Sequence, residues 1–193
     1  MRIAKPDYIP SISDILRARI ETNGVFETRF TVSDLIVHLF DAGQRANKWI
    51  RQFGSVFIFT FIVDLAGYDV YLPGSLSTGI TKSLKLFDFV VNSHWTTSSP
   101  IILVLGNVEG FEHKLAESPL ANYFPGYSGG NDGERASKYI LSLFRQANRG
   151  NRILVPRFIE LNDVPSVVRL ITQAIRDAVG IHQRELYCKF LTH

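Results

Sequence analysis

The sequence has 193 residues and a mass of 21.8 kDa, with 46% hydrophobic and 20% charged residues. This composition is typical of one globular domain with a sizeable core, and it excludes a disordered tail, a collagen and a coiled coil. The net charge is +3, and charges of both signs are interspersed. Because a nucleic-acid groove needs a concentrated basic patch, we expect no nucleic-acid partner. A single cysteine, Cys188, excludes an internal disulfide and a cysteine-based zinc site.

The first quarter of the chain predicts a β-hairpin. Residues 1–24 are polar and read as an extended entry, with Ser13 and Asp14 capping a short turn over 15–17. Apolar and β-branched runs at 28–32 and 35–40 are separated by two residues, the spacing of two strands joined by a tight turn. A short helix is expected over 46–53.

The rest of the chain alternates strands with helices. Strands are predicted over 56–65, 101–105 and 152–161, helices over 77–92, 134–148 and 164–182, and a loop over 119–133. Pro156 makes the last strand an edge strand or a bulged one. The alternation predicts an α/β domain with a mainly parallel sheet. Ligands bind such folds at the carboxyl ends of the strands, here the segments 41–44, 64–66, 106–109 and 160–163.

Nothing in the sequence predicts a membrane anchor. The longest apolar run, 56–63, is far shorter than the roughly 18 residues that cross a bilayer. The first residues carry neither an apolar signal-peptide core nor the Met-Gly start that myristoylation needs. We therefore expect no transmembrane segment, no N-terminal lipidation signal and an intracellular, cytoplasmic location.

Four stretches carry a family resemblance, and they follow one another over nearly the whole chain. They are Arg2 to Pro10, Asp14-Ile-Leu-Arg-Ala-Arg-Ile-Glu-Thr-Asn-Gly24, Phe40-Asp-Ala-Gly-Gln-Arg45 with Lys48-Trp-Ile50, and Lys85-Leu-Phe-Asp88 with Asn92-Ser-His-Trp95 and Ile101-Ile-Leu-Val-Leu105. On these residues the sequence resembles the α subunits of heterotrimeric G proteins. The resemblance implies a Ras-like P-loop GTPase fold, α/β with a mainly parallel sheet and flanking helices.

The resemblance also implies a layout for a single domain over residues 1–193. Switch I lies at 14–24, switch II at 40–53, a degenerate guanine motif at 106–109, and the receptor-facing last helix and tail at 164–193. The implied partners are the βγ subunits and a G-protein-coupled receptor, which would hold the chain at the cytoplasmic face of the plasma membrane. The second-switch surface for βγ consists of Lys48, Trp49 and Ile50.

By the same resemblance, the chain carries residues for GTP, GDP and Mg²⁺. Arg19 matches the catalytic arginine and Gln44 the glutamine that orients the attacking water. Thr22 and Asp41 match the residues that hold Mg²⁺. The nucleotide-binding positions are Gly43, Asn107 and Glu109. Phosphoryl transfer needs such groups because it depends on positioning and on electrostatic stabilisation.

Departures from the family pattern predict weakened nucleotide binding and hydrolysis. The 193 residues contain no G-x-x-x-x-G-K-[ST] phosphate loop, so we expect a truncated domain without that loop and its preceding strand. Switch II has one glycine where the family has two, which changes the spacing from Asp41 to Gln44. The family's Asn-Lys-x-Asp is Gly-Asn-Val-Glu at 106–109, and its Thr-Cys-Ala-Thr is Ile-Glu-Leu-Asn at 159–162.

Two functions follow from these patterns. The first is a GTP-binding signal transducer of the α-subunit type, supported by Arg19, Thr22, Asp41 and Gln44 in order. The second is a nucleotide-free interaction module for βγ subunits or a receptor, supported by Lys48 to Ile50 and the last helix. A fragment without function of its own is the remaining alternative.

Overall fold

The computed structural model describes residues 7–11, 14–15, 18, 24–32, 35–42, 58–71, 74, 76–94, 99–160 and 164–191, and only the backbone at 32, 35, 42, 164 and 181–191. The chain divides into two compact units, Met1–Trp49 and Ile50–His193. Among the helices in these ranges, none combines the length and apolar character that a membrane span requires.

The first unit contains the predicted hairpin. Strands β1 (Val25–Val32) and β2 (Leu35–Ala42) pair antiparallel, with Val32 opposite Leu35. One face carries exposed apolar side chains, including Phe26, Phe30 and Leu39. On the other face the Glu27 carboxylate accepts from Arg29 Nε at 2.7 Å and lies 2.8 Å from His38 Nδ1. These hydrogen bonds, that of Arg29 first, hold the pKa of Glu27 below its ordinary value.

The second unit is built on a three-stranded parallel sheet. Strands β3 (Phe59–Asp64), β4 (Ile101–Gly106) and β5 (Leu154–Ile159) lie in the order β3-β4-β5. Every residue of the central strand β4 is buried, which explains its continuous run of large apolar residues. The register aligns Asp64 with Gly106 and Gly106 with Ile159, so the carboxyl ends of the three strands lie level at one end of the sheet.

Four helices cover the two faces of this sheet. They are α1 (Gly79–Val91), α2 (Val108–Glu117), α3 (Gly133–Ala147) and α4 (Val164–Leu191). Residues 101, 103 and 105 of β4 belong to a core with buried residues of α1, α2 and α3, whereas residues 102 and 104 pack with Ala174 and Ala178 of α4. Alternate residues of a strand point to opposite faces, so β4 supplies both cores of a helix–sheet–helix sandwich.

Pro156 lies where an edge strand tolerates proline. The N–H of Ile101 donates to the carbonyl of Ile153 at 2.8 Å. Backbone groups of successive strand residues alternate in direction, so residues 153, 155, 157 and 159 point theirs toward β4 and residues 154, 156 and 158 point theirs away. The missing N–H of Pro156 therefore costs no hydrogen bond to β4, and the prediction of an edge strand is confirmed.

The predicted α/β fold with a parallel sheet and flanking helices is confirmed, and the predicted elements recur with shifted ends. The largest omission is α2, because no element was predicted between residues 105 and 119. The last helix runs to Leu191, not to 182. The first turn starts at Ser11, whose hydroxyl accepts from Asp14 N at 3.3 Å while the Asp14 carboxylate accepts from Ser11 N at 2.9 Å. The predicted helix over 46–53 lies outside the described residues.

Candidate functional site

The carboxyl ends of the three parallel strands converge on one site in the second unit. Asp64 is the last residue of β3, Asn107 follows β4, and Glu160 follows β5. Glu109 lies in the first turn of α2, two residues after Asn107. The common end of the strands thus brings together three carboxylates and one carboxamide, where ligands bind in open α/β sheets.

Asn107 is held by the end of β3. Its side-chain amide nitrogen Nδ2 donates to Asp64 Oδ1 at 2.9 Å, and the same carboxylate oxygen accepts from the N–H of Ala66 at 3.1 Å. Asn107 has a φ of 61°, in the left-handed region that asparagine tolerates better than most residues. The sharp change of direction from β4 into α2 occurs at this residue, which aims its side chain back at β3.

Glu160 satisfies the amino-terminal end of α2. Asn107 stands at the N-cap of α2 but makes no side-chain capping bond. The carboxylate of Glu160 takes that place, since its Oε2 accepts from the N–H of Glu109 at 3.2 Å. A negative charge at the first turn is also favoured by the helix dipole. Glu160 is therefore the cap of α2, supplied from another element.

A second contact fixes α2 against the segment after β3. Lys114 Nζ donates to the carbonyl oxygen of Ala66 at 2.9 Å and to Asp69 Oδ1 at 2.6 Å. The Lys114 side chain is 39% exposed and that of Asp69 is 16% exposed, so the ion pair is only partly screened by solvent. Together with the Asn107–Asp64 bond, it sets the position of α2 relative to the strand ends.

The site as described presents hydrogen-bond acceptors. Both backbone N–H groups that it orients, those of Ala66 and Glu109, donate to carboxylates of the protein itself. Within the described ranges no group of three or more histidine, cysteine, aspartate or glutamate side chains is arranged to hold a metal ion. The exposed carboxylate of Glu109 is an acceptor for a donor-bearing ligand.

Three of the predicted site residues lie in the described ranges. Asp41 is on β2 of the first unit, exposed and opposite Phe26. Asn107 and Glu109 lie in the second unit, at the start of α2. Seven others fall outside the described residues: Arg19, Thr22, Gly43, Gln44, Lys48, Trp49 and Ile50.

Sequence reasoning assigned no role to Asp64 or Glu160. Asp64 appears in the sequence only within a strand-end segment, and Glu160 also within the segment that stands in place of Thr-Cys-Ala-Thr, yet they are the acceptors that hold Asn107 and Glu109. The usable signal was their placement, because acidic residues that end neighbouring parallel strands meet at one edge of the sheet.

Comparison with known proteins gives consistent matches over most of the chain. The family model described as "G-protein alpha subunit" matches residues 1–179. The guanine nucleotide-binding protein alpha-3 subunit of Neurospora crassa is 45% identical over 183 residues, which are 93% of this chain and 51% of that protein. The alpha-3 subunit of Mycosarcoma maydis is 42% identical over 182 residues, 92% of this chain and 51% of that protein. The alpha-2 subunit of Saccharomyces cerevisiae is 39% identical over 183 residues, 92% of this chain and 40% of that protein. The chain spans about half the length of the first two relatives.

Proposed function

Because this chain belongs to the G-protein α-subunit family, we propose that it acts in G-protein signalling, with weakened binding of GTP and GDP, through its protein-binding surfaces. The observation that carries this proposal is the pair of hydrogen bonds at the strand ends. Asp64 accepts from the Asn107 amide, and Glu160 accepts from the Glu109 N–H. Two donors of the segment that resembles the guanine motif are therefore used within the protein.

The strength of these bonds supports weakened nucleotide binding. A purine carbonyl that needed either donor would have to displace a carboxylate, and each hydrogen bond to a charged group is worth about 1.5–3 kcal/mol. Competing for both would lower affinity at least about a hundredfold.

The site roles are part of the same proposal. Arg19 and Gln44 are the counterparts of the hydrolytic residues, and Thr22 and Asp41 are those of the Mg²⁺ ligands. Gly43, Asn107 and Glu109 are the counterparts of the nucleotide contacts. Of these residues, Asn107 and Glu109 lie at the described strand ends, where Asp64 and Glu160 present acceptors.

Nucleotide binding by the full chain tests the first half of the proposal. A fluorescent GTP analogue is titrated with and without Mg²⁺, with GDP as competitor, and thermal melting in the same buffer establishes that the sample is folded. We expect no saturable, GDP-competed binding at micromolar concentrations. Tight Mg²⁺-dependent binding would favour the alternative, a GTP-binding signal transducer, and would contradict weakened binding.

Partner binding tests the second half of the proposal. Lys48, Trp49 and Ile50 are proposed to contact βγ subunits, and tryptophan is a favoured residue at the centre of interfaces. Removing such an anchor costs about 2 kcal/mol or more, so Trp49→Ala is expected to weaken βγ binding at least about thirtyfold. The matched control is Trp95→Ala, which changes the chain's other tryptophan. Equal loss from both variants, or no binding by the parent chain, would contradict the assignment.

A further inference from the structure

A cleft on the second unit lies between α2, α3 and the edge strand β5. Its volume is about 230 Å³, and it is lined by Val108, Glu112, Glu134, Ser137, Lys138 and Phe158. Sites for whole small molecules usually measure roughly 300–1,000 Å³. The cleft is therefore better matched to a single long side chain than to a nucleotide or another metabolite.

The floor of the cleft is apolar. Phe158 is 39% exposed and lies on β5, an edge of the described sheet. Its side chain lies on the same face as that of Leu154, which packs against the core shared with α1, α2 and α3. Val108 adds a second apolar surface from the start of α2. An aliphatic stem placed here would cover aromatic surface that is now in contact with water.

Charged side chains line one side of the cleft. Glu112 and Glu134 contribute two carboxylates, and Lys138 contributes one ammonium, which lies 2.5 Å from Glu134 Oε1. The Glu112 side chain also lines the start of α3, where a Cβ added to Gly133 would come within 2.5 Å of Glu112 Cγ. One carboxylate is thus in excess beside an exposed aromatic ring. The complementary ligand has an apolar stem and a positive end.

We propose that this cleft binds an arginine side chain presented by a partner protein. The stem would pack on Phe158 and Val108, and the guanidinium would meet Glu112, the carboxylate that is not paired with Lys138. Arginine suits the site because it buries its stem while keeping its charged end accessible, forks onto carboxylates and stacks on aromatic faces. The lining shares no residue with the proposed nucleotide contacts or the βγ surface, and Val108 lies between Asn107 and Glu109 in the chain.

The outer edge of β5 can orient a bound partner segment, but it offers few backbone groups for strand pairing. The backbone N–H and carbonyl of Phe158 point away from β4, toward the position that a partner segment beside β5 would occupy. Pro156 has no N–H to donate at the preceding outward position. A partner segment could form backbone bonds at Phe158 but could not extend a regular ladder along β5. Recognition therefore depends on the inserted side chain.

The test is an NMR titration of the full ¹⁵N-labelled chain with the peptide acetyl-Gly-Arg-Gly-amide. The matched probe replaces arginine by citrulline, which has nearly the same shape and no charge. We expect saturable shifts of backbone amides at Val108, Glu134 and Phe158 with the arginine peptide, and binding at least about fivefold weaker with citrulline. Equal binding of the two peptides, or shifts confined to other surfaces, would overturn the proposal.

Two pairs of variants distinguish binding in the cleft from general attraction of the peptide to the protein surface. Glu112→Gln is expected to weaken binding of the arginine peptide about fivefold, whereas Glu117→Gln, on the same helix and also exposed, should leave it unchanged. Phe158→Ser should weaken binding, while Phe89→Ser changes a 47% exposed phenylalanine on α1 and should not. If each control lowers affinity as much as its partner, the cleft is not the binding site.

Discussion

Replacing Phe87 by alanine is expected to lower the free energy of unfolding by about 3–5 kcal/mol. Phe87 is completely buried on α1. Its ring centroid lies 5.2 Å from that of Phe61 on β3 and 5.2 Å from that of Phe144 on α3, and both pairs are edge to face. The substitution removes the ring that joins the sheet to two helices and leaves a cavity that these rigid elements cannot close. Aromatic pairs of this geometry add about 0.5–1.5 kcal/mol each beyond the buried area.

Thermal melting followed by circular dichroism measures this effect. For a chain of this size, 3–5 kcal/mol corresponds to a fall in Tm of about 6–20 °C. Phe89→Ala is the control, because Phe89 lies two residues further along α1 and is 47% exposed, so its loss should cost about 1 kcal/mol or less. If the two variants melted at the same temperature, the aromatic cluster would not be the centre of this core.

The fold of the second unit was largely predictable from its apolar patterns. The continuous run at 101–105 predicts a strand covered on both faces, and all of β4 is buried. The positions 80, 87 and 91 recur at helical spacing and are buried on α1. Helix α2 was missed, although Phe111 and Leu115 lie four residues apart and are fully buried. It is short, and Gly110 in its first turns weakens the helical signal.

The position of the candidate site was predictable from the sequence, but its hydrogen-bond partners were not. Parallel strands place their ends together, so segments 64–66, 106–109 and 160–163 were expected to meet. The bond from Glu109 N to Glu160 depends on how far α2 shifts relative to β5, which no local pattern encodes. The capping of α2 illustrates the same limit, because sequence rules search for a cap within a few residues, whereas this one comes from 51 residues away.

The hydrogen bonds of the candidate site give the carboxyl ends of the strands a structural function. Asp64, Asn107 and Glu160 connect the ends of β3 and β5 to α2 by hydrogen bonds that involve charged groups, which are stronger than neutral ones. Because these bonds occupy two donors at the strand ends, the weakened nucleotide binding that we propose and the stability of this part of the sheet share one cause.

Replacing Arg152 by alanine is the second substitution with a large expected effect. Its guanidinium joins two backbone segments of the second unit, donating to the carbonyl of Val91 at the end of α1 (3.2 Å) and to the carbonyl of Ser99 before β4. The Asn148 side chain in turn holds the Arg152 backbone, accepting from its N–H at 3.0 Å and donating to its carbonyl at 2.8 Å. Burial lowers the pKa of Arg152, as expected for a cation partly withdrawn from water.

Loss of this guanidinium leaves two carbonyls without a charged donor, and we expect Arg152→Ala to lower the free energy of unfolding by about 2–4 kcal/mol. Arg152→Lys keeps the charge but not the fork that reaches both carbonyls, so it should fall between the parent and the alanine variant. The control, Arg145→Ala, changes an exposed arginine in the last turn of α3 and should cost no more than about 1 kcal/mol. Urea denaturation compares the variants, provided that the slope of the unfolding free energy against urea concentration is the same for each. A lysine variant as stable as the parent would show that charge alone, and not the two-carbonyl geometry, holds α1 and β4 together.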